Sequence, residues 1–237
     1  HRAGLVGRSE GGLSAPTGAS ANPGLISFAV LIAGPGVSGR EILIEQLGAM
    51  STVAGMPPER VEQQRGVQAA LLDAVVKNEP TAKVHEAIEK LILLQSGQSE
   101  RPVAKPDDAA SKAAAEQFDA ALAAQVAMIE SPWMRRFLAL DPAPALRATK
   151  CPVLLISGAM DVQVVPSQNI PALTAALLAG GNTDVTVRVM PRLNHLLQPA
   201  VIGTVVEYAT IATTMMPEAV DVICEWVEGR ARPKTSR

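Results

Sequence analysis

One short stretch near the amino terminus constrains this chain more than any other. Gly7-Arg8-Ser9-Glu10-Gly11 follows the apolar run Ala3-Gly4-Leu5-Val6 and precedes Gly12 and a helix-forming segment. Gly-x-Ser-x-Gly in that setting describes a nucleophile elbow, a sharp strand-to-helix turn that holds a serine hydroxyl exposed above a sheet. A residue at the tip of such a turn is forced into backbone angles that side chains disfavour. Gly7 and Gly11 are expected to be glycine because a Cβ at either position would meet the neighbouring strand or helix. The motif commits the chain to a β-strand feeding an α-helix, and so to the α/β class.

The next segments extend that pattern. Glu10 to Ala21 reads as the helix leaving the turn, ended by Asn22-Pro23-Gly24. Leu25 to Ala33 is a continuous apolar run of strand length, the mark of a strand covered on both faces in a parallel sheet. Strand, helix, strand in that order implies a right-handed crossover between two parallel neighbours. With 48% hydrophobic residues and a mean hydropathy of +0.19, a chain of 237 residues can bury a substantial core. Its longest apolar runs fall well short of the roughly 20 residues that a membrane span needs. Basic and acidic residues, 21 and 23, are interspersed, so no electrostatic footprint for nucleic acid or an anionic membrane surface is present.

From 39 to 148 the periodicity becomes helical. Val84, Ile88, Leu91 and Ile92 form one stripe, and Ala114, Phe118, Ala121, Leu122, Gln125 and Ile129 another. Between them, 96–108 is a polar loop with Pro102 and Pro106. The expected organisation is a core of 1–38 and 149–237 with a helical insertion, 39–148, acting as a cap over a pocket. Trp133 and Phe137 are candidate pocket-lining residues, although packing of the insertion against the core is the favoured account of their type.

After the insertion, Val153 to Ser157 reads as another buried strand running into Gly158-Ala159-Met160-Asp161. A helix over 167–179 ends at Gly180-Gly181, and 184–190 alternates as an edge strand that leads to Leu193-Asn194-His195. A last helix over 216–228 is expected to carry Val220, Ile223, Trp226 and Val227 inward, ahead of a frayed basic tail over 230–237. Cys151 and Cys224 are expected to be buried thiols and not a disulfide, which is compatible with a reducing compartment.

In open parallel sheets functional groups gather beyond the carboxyl ends of the strands. Ser9, Asp161 and His195 each follow a strand directly, whereas Asp184 precedes one and Asp221 and Glu225 lie on a helix. A serine hydroxyl needs a base to take its proton, and that base needs a carboxylate to fix its tautomer. His195 suits the base: His1 opens the chain and His85 lies on a helix of the insertion.

The elbow at 7–12, the run Cys151-Pro152-Val153 to Gly158-Ala159-Met160-Asp161-Val162-Gln163-Val164, and Leu193-Asn194-His195 together resemble the α/β-hydrolase superfamily. They are most similar to its bacterial carboxylesterase branch, whose elbow commonly reads Gly-His-Ser-Glu-Gly-Gly. The resemblance covers nearly the whole chain. It implies a partial α/β-hydrolase sheet from the nucleophile strand onward, Ser9 as nucleophile, Asp161 as acid, His195 as base, and the Glu10 backbone N–H as one oxyanion donor. Arg8 stands where the family usually has histidine. The family's early strands and its second oxyanion donor do not correspond to anything in this sequence, so the chain reads as the C-terminal portion of a longer protein, nearly inactive alone, with any export signal upstream.

The implied activity is hydrolysis of a small-molecule carboxylic ester through an acyl-enzyme. A serine aminopeptidase on the same fold and a non-catalytic relic are the alternatives. No metal-ligand spacing occurs, and Gly34-Pro35-Gly36-Val37-Ser38-Gly39 lacks the Lys and Ser/Thr ending of a phosphate loop, so no cofactor is called for.

Overall fold

The structure, a computed structural model, describes residues 3–231. His1 and the tail beyond 231 lie outside the described residues. The chain divides into two compact units, one of His1–Val53 with Asp141–Arg237 and one of Ala54–Leu140.

The first unit is a parallel sheet with helices on both faces. In chain order it contains β1 (Ala3–Arg8), α1 (Gly11–Ala21), β2 (Ile26–Ile32) and α2 (Gly39–Val53). After the second unit come α7 (Ala143–Ala148), β3 (Val153–Gly158), α8 (Pro166–Ala179), β4 (Val185–Met190), a 3-10 turn (Val205–Thr210) and α9 (Pro217–Ala231). The strands are ordered β1-β2-β3-β4, all parallel, so every carboxyl end opens on one edge.

Register explains the apolar runs. Ala29, Leu31, Val153 and Leu155 face one side and pack with Ala15 of α1, Leu146 of α7, and Leu173 and Leu177 of α8. Phe28, Val30, Ile32, Leu154 and Ile156 face the other and pack with Leu193, Leu197, Ala219 and Trp226. Because both faces are covered, β2 and β3 are apolar at nearly every position, as a strand buried in a parallel sheet must be. Among the described residues β4 pairs only with β3, and it is half-exposed, with Val189 44% accessible, which is why its sequence alternates. Asp184 lies at the amino end of β4, where its carbonyl accepts from Val153 N–H and its carboxylate pairs with Arg230 at 2.7 Å.

The second unit is α3 (Pro58–Val76), α4 (Thr81–Ser96), α5 (Ala109–Ile129) and α6 (Pro132–Ala139). Val84, Ile88 and Leu91 of α4 and Phe118 and Ile129 of α5 are buried along the expected stripes. Asp108 caps α5 by accepting from Ala110 and Ser111 N–H, and Ser131 caps α6 by accepting from Met134 N–H. The first of these caps places the start of α5 just after the loop that separates the two stripes.

Three expectations are corrected. On α9 the inward face is Ala219, Val222, Ile223 and Trp226; Val220 is 40% accessible, because 219, 222/223 and 226 repeat at helical spacing and 220 falls beside that row. The two cysteines are free, but Cys151 is only partly buried and Cys224 is exposed on the outer side of α9. Arg230, expected in a frayed tail, is on α9, where its guanidinium lies 3.9 Å from the centre of the Trp226 ring. Its ion pair with Asp184 holds the last turn of the helix to the start of β4.

Truncating Leu155, fully buried at the centre of β3, is expected to cost about 2–5 kcal/mol, whereas Val220→Ala should change stability by less than about 0.5 kcal/mol. Urea unfolding of the two variants measures this. A larger loss for Val220→Ala would mean that α9 is rotated so that 220 faces the sheet.

Candidate active site

β1 ends at Arg8, and Ser9 makes the turn into α1 with φ of +53°, in the left-handed region. Two backbone bonds hold it there: Ser9 N–H donates to the Ile32 carbonyl at 2.9 Å, and the Ser9 carbonyl accepts from Gly12 N–H at 2.8 Å. A Cβ on Gly7 would lie 2.0 Å from the Gly11 carbonyl oxygen, so the strand can approach the start of α1 only with glycine there. Gly11 itself is different from expectation, since a Cβ on it meets nothing within 4 Å. The second crowded position is Gly12, whose Cβ would lie 2.6 Å from Gly34 Cα, where the loop after β2 crosses the turn. The helix turns Gly11 outward and Gly12 inward, a phase that the motif does not determine.

β3 ends at Gly158, and the chain turns at once into Asp161. The Asp161 side chain is fully buried. Its Oδ1 accepts from Gln163 and Val164 N–H at 2.8 and 2.9 Å, and its Oδ2 accepts from His195 Nδ1 at 2.8 Å. A buried carboxylate is tolerated when donors replace its lost water, and here three do. With Nδ1–H committed to the carboxylate, a neutral His195 keeps the lone pair on Nε2 to accept a proton. The imidazole is itself 7% accessible.

The loop carrying His195 is built on Asn194, which is fully buried. Asn194 Oδ1 accepts from Leu196 and Gln198 N–H, and its Nδ2 donates to Gln198 Oε1 at 3.1 Å. The loop closes with a Leu193–Pro199 bridge, while Leu193 and Leu197 plug into the sheet. It is stapled to the Asp161 loop where Met160 N–H donates to the Leu193 carbonyl at 2.9 Å. Gly158 permits this, since a Cβ there would lie 2.2 and 2.4 Å from the Leu193 and Asn194 carbonyl oxygens.

Thus Asp161 and His195 are brought into direct contact, and Ser9 lies on the same carboxyl edge, at the end of β1. The Ser9 hydroxyl makes no hydrogen bond among the described residues. Glu10, the residue after Ser9, directly precedes α1, so its backbone N–H belongs to the helix amino terminus, where an anion is favoured. Trp133 and Phe137 both lie on α6 in the other unit and stack on each other with ring centres 5.3 Å apart; Trp133 is 53% accessible.

The motifs assign no role to the segment after the histidine loop. Tyr208, the one tyrosine of the chain, lies in the 3-10 turn, and its Oη accepts from Gln163 Nε2 at 2.5 Å. Gln163 thereby touches both Asp161, through its N–H, and Tyr208. Burial pushes the Tyr208 phenol above its ordinary pKa, and the Asp161 and Glu207 carboxylates add to that; the Gln163 hydrogen bond and the Arg8 guanidinium oppose it without reversing it. Beside it, burial pulls the Glu207 carboxyl upward, but donation from Ile202, Val201 and Gly203 N–H outweighs this and leaves it below the usual glutamate value. A single tyrosine in a segment with neither helical nor strand periodicity has no pattern to reveal it; only its uniqueness could have drawn attention.

Among the described residues, no group of His, Cys, Asp and Glu could hold a metal ion, and no helix is long and apolar enough to cross a membrane.

No family model matches this chain, and no curated protein matches it. Among solved structures it is similar to Rv0554 from Mycobacterium tuberculosis, with 20% identity and a TM-score of 0.43 over 97% of this chain and 66% of that one. It is likewise similar to proline iminopeptidase of Mycobacterium smegmatis, with 16% identity and a TM-score of 0.46 over 97% of this chain and 66% of that one. Esterase RhEst1 from Rhodococcus sp. ECU1013 gives 18% identity and a TM-score of 0.41, with the same coverage of 97% and 66%. The chain therefore spans just under two thirds of the length of these proteins.

Because Tyr208 is the sole tyrosine, tyrosinate absorbance near 295 nm reports it alone. The titration midpoint of the folded protein should lie above 10.0 and fall back to about 10 in denaturant. The folded phenol holds its proton more tightly, so its contribution to stability is complete below about pH 10 and is lost as pH rises through the folded midpoint.

Proposed function

We propose that residues 1–237 are the catalytic part of an α/β-hydrolase that cleaves carboxylic esters with Ser9, His195 and Asp161. The observation that carries this reading is the buried 2.8 Å bond from His195 Nδ1 to Asp161 Oδ2 on the edge that also bears Ser9 in its left-handed turn. That bond leaves Nε2 as the acceptor a serine hydroxyl requires.

In the proposed reaction His195 Nε2 takes the Ser9 proton as Oγ attacks the ester carbonyl, giving a tetrahedral oxyanion received by Glu10 N–H. Collapse breaks the bond to the alcohol oxygen, which leaves with the proton from His195, and the acyl group stays on Ser9. Water then gives its proton to His195 and its oxygen to the acyl carbon. The second collapse releases the acid and returns the proton to Ser9. Asp161 stays ionised and stabilises the imidazolium in both halves. We propose that the second oxyanion donor comes from sequence outside the described residues, so that the chain alone should turn over roughly 100- to 1,000-fold more slowly than the extended protein.

The test is hydrolysis of 4-nitrophenyl esters of graded chain length by the protein extended upstream through its natural sequence, together with labelling by a fluorophosphonate. Ser9→Ala should abolish both, and Asp161→Asn should lower kcat by on the order of 10,000-fold with the fold intact. Turnover of peptide anilides alone would shift the assignment to a peptidase. Absence of ester turnover and labelling in a folded extended protein would remove the hydrolase reading.

A further inference from the structure

Arg8 directly precedes Ser9, is exposed, and makes no hydrogen bond or ion pair among the described residues. Its direction follows from register. Arg8 pairs with Ile32 across β1 and β2, and partners in a parallel ladder share a face. Ile32 packs with Leu193 and Leu197, so Arg8 projects from the face of the sheet that carries the His195 loop. Among the described residues this guanidinium, next in sequence to the proposed nucleophile, has its five N–H donors open to a ligand.

A second donor belongs to the same rim. Tyr208 Oη accepts from Gln163 Nε2, which leaves the phenolic hydrogen uncommitted. Gln163 N–H is bonded to Asp161, so Tyr208 is tied to the carboxylate that holds His195. The segment bearing Tyr208 is fixed in turn: Glu207 accepts from Val201, Ile202 and Gly203 N–H, and Gly203, with φ of +80°, packs against the Met160 carbonyl with no room for a Cβ. The sensitivity of the phenol to both the Arg8 cation and the Asp161 anion agrees with a common location. The Asp161 and Glu207 carboxylates take their hydrogen bonds from other donors, so neither occupies the donors of the Arg8 guanidinium.

We propose that Arg8 and Tyr208 form a carboxylate-receiving pair beside Ser9, selecting esters that carry a second, ionised carboxylate, such as hemiesters of short dicarboxylic acids. A planar guanidinium and a phenolic O–H are complementary to the two oxygens of a carboxylate. The substrate class rests on the ester-hydrolase reading; the carboxylate site does not.

The experiment compares kcat/KM of the extended protein for mono-4-nitrophenyl glutarate and for neutral 4-nitrophenyl pentanoate. The ratio of the two should fall by about 10- to 100-fold in Arg8→Ala, mainly through KM for the hemiester, with partial retention in Arg8→Lys and a smaller fall in Tyr208→Phe. A second arm needs no turnover: glutarate should move the 295 nm midpoint of Tyr208 upward by about 0.5 units relative to sodium chloride of equal ionic strength, and not in Arg8→Ala. Where esters are turned over, the ratio decides, and a ratio unchanged by Arg8→Ala overturns the pair while leaving the hydrolase. Where no ester is turned over, the glutarate shift decides: an Arg8-dependent shift upholds the carboxylate site without the hydrolase, and no shift overturns both.

Discussion

A carboxylate buried without water is costly, by several kcal/mol even after relaxation, unless donors replace the lost hydration. Asp161 is such a carboxylate, and its three hydrogen bonds organise the carboxyl edge of the sheet. Two of its donors are backbone N–H groups of the turn it initiates, so the turn and the side chain stabilise each other locally. The third donor, His195, comes 34 residues later, and its delivery depends on nearly everything else in the unit. β3 and β4 must pair in register so that their loops leave the sheet side by side. Gly158 must lack a Cβ so that the loops can touch, and Leu193 and Leu197 must find the apolar face of the sheet. Removing either partner would leave the other buried and unsatisfied, which makes this pair a structural constraint as well as a chemical one.

The parts legible in the sequence are those where one physical demand acts alone. β2 and β3 announce themselves because both faces are covered, so that apolar residues fill every position but Ser27 and Ser157. The choice of Asp161 over Asp184 follows from strand direction, and Asp184 does lie at the opposite edge, paired with Arg230. What is not legible requires knowing the rotation of a helix about its own axis. In α1 that rotation decides between Gly11 and Gly12 as the crowded glycine, and in α9 between Val220 and Ala219 as the buried residue. In both helices the motif or the larger side chain points one way and the phase set by tertiary packing another. Cys224 illustrates the same point, since its type suggests burial but its place on α9 is outward.

The segment from 199 to 213 is opaque for another reason. It has neither helical nor strand periodicity, and its order comes from a side chain folding onto its own backbone, Glu207 collecting three N–H groups, and from Gly203 pressed against the Met160 carbonyl. Such contacts leave no pattern in composition. They matter because they fix Tyr208 relative to Gln163, and Gln163 shares the Asp161 turn.

The distribution of backbone strain points to the same edge. Among the described residues, five non-glycine residues have positive φ: Ser9, Ala33, Asn78, Arg192 and Leu197. Four of them follow the carboxyl ends of β1, β2 or β4, in the loops that surround Ser9 and His195, and only Asn78 belongs to the helical unit. Each such residue costs on the order of 1–3 kcal/mol and persists only where its surroundings over-determine it. Here they do. Ser9 N–H is held by the Ile32 carbonyl, Ala33 N–H by the Ile156 carbonyl, and Leu197 is fully buried with its N–H on Asn194. The central strands thus act as a rigid template whose last carbonyls hold the loops in conformations the loops would not adopt alone. Strain gathered at one edge of an otherwise regular sheet is what a preorganised site requires, because side chains held in place beforehand need not be ordered when a ligand arrives.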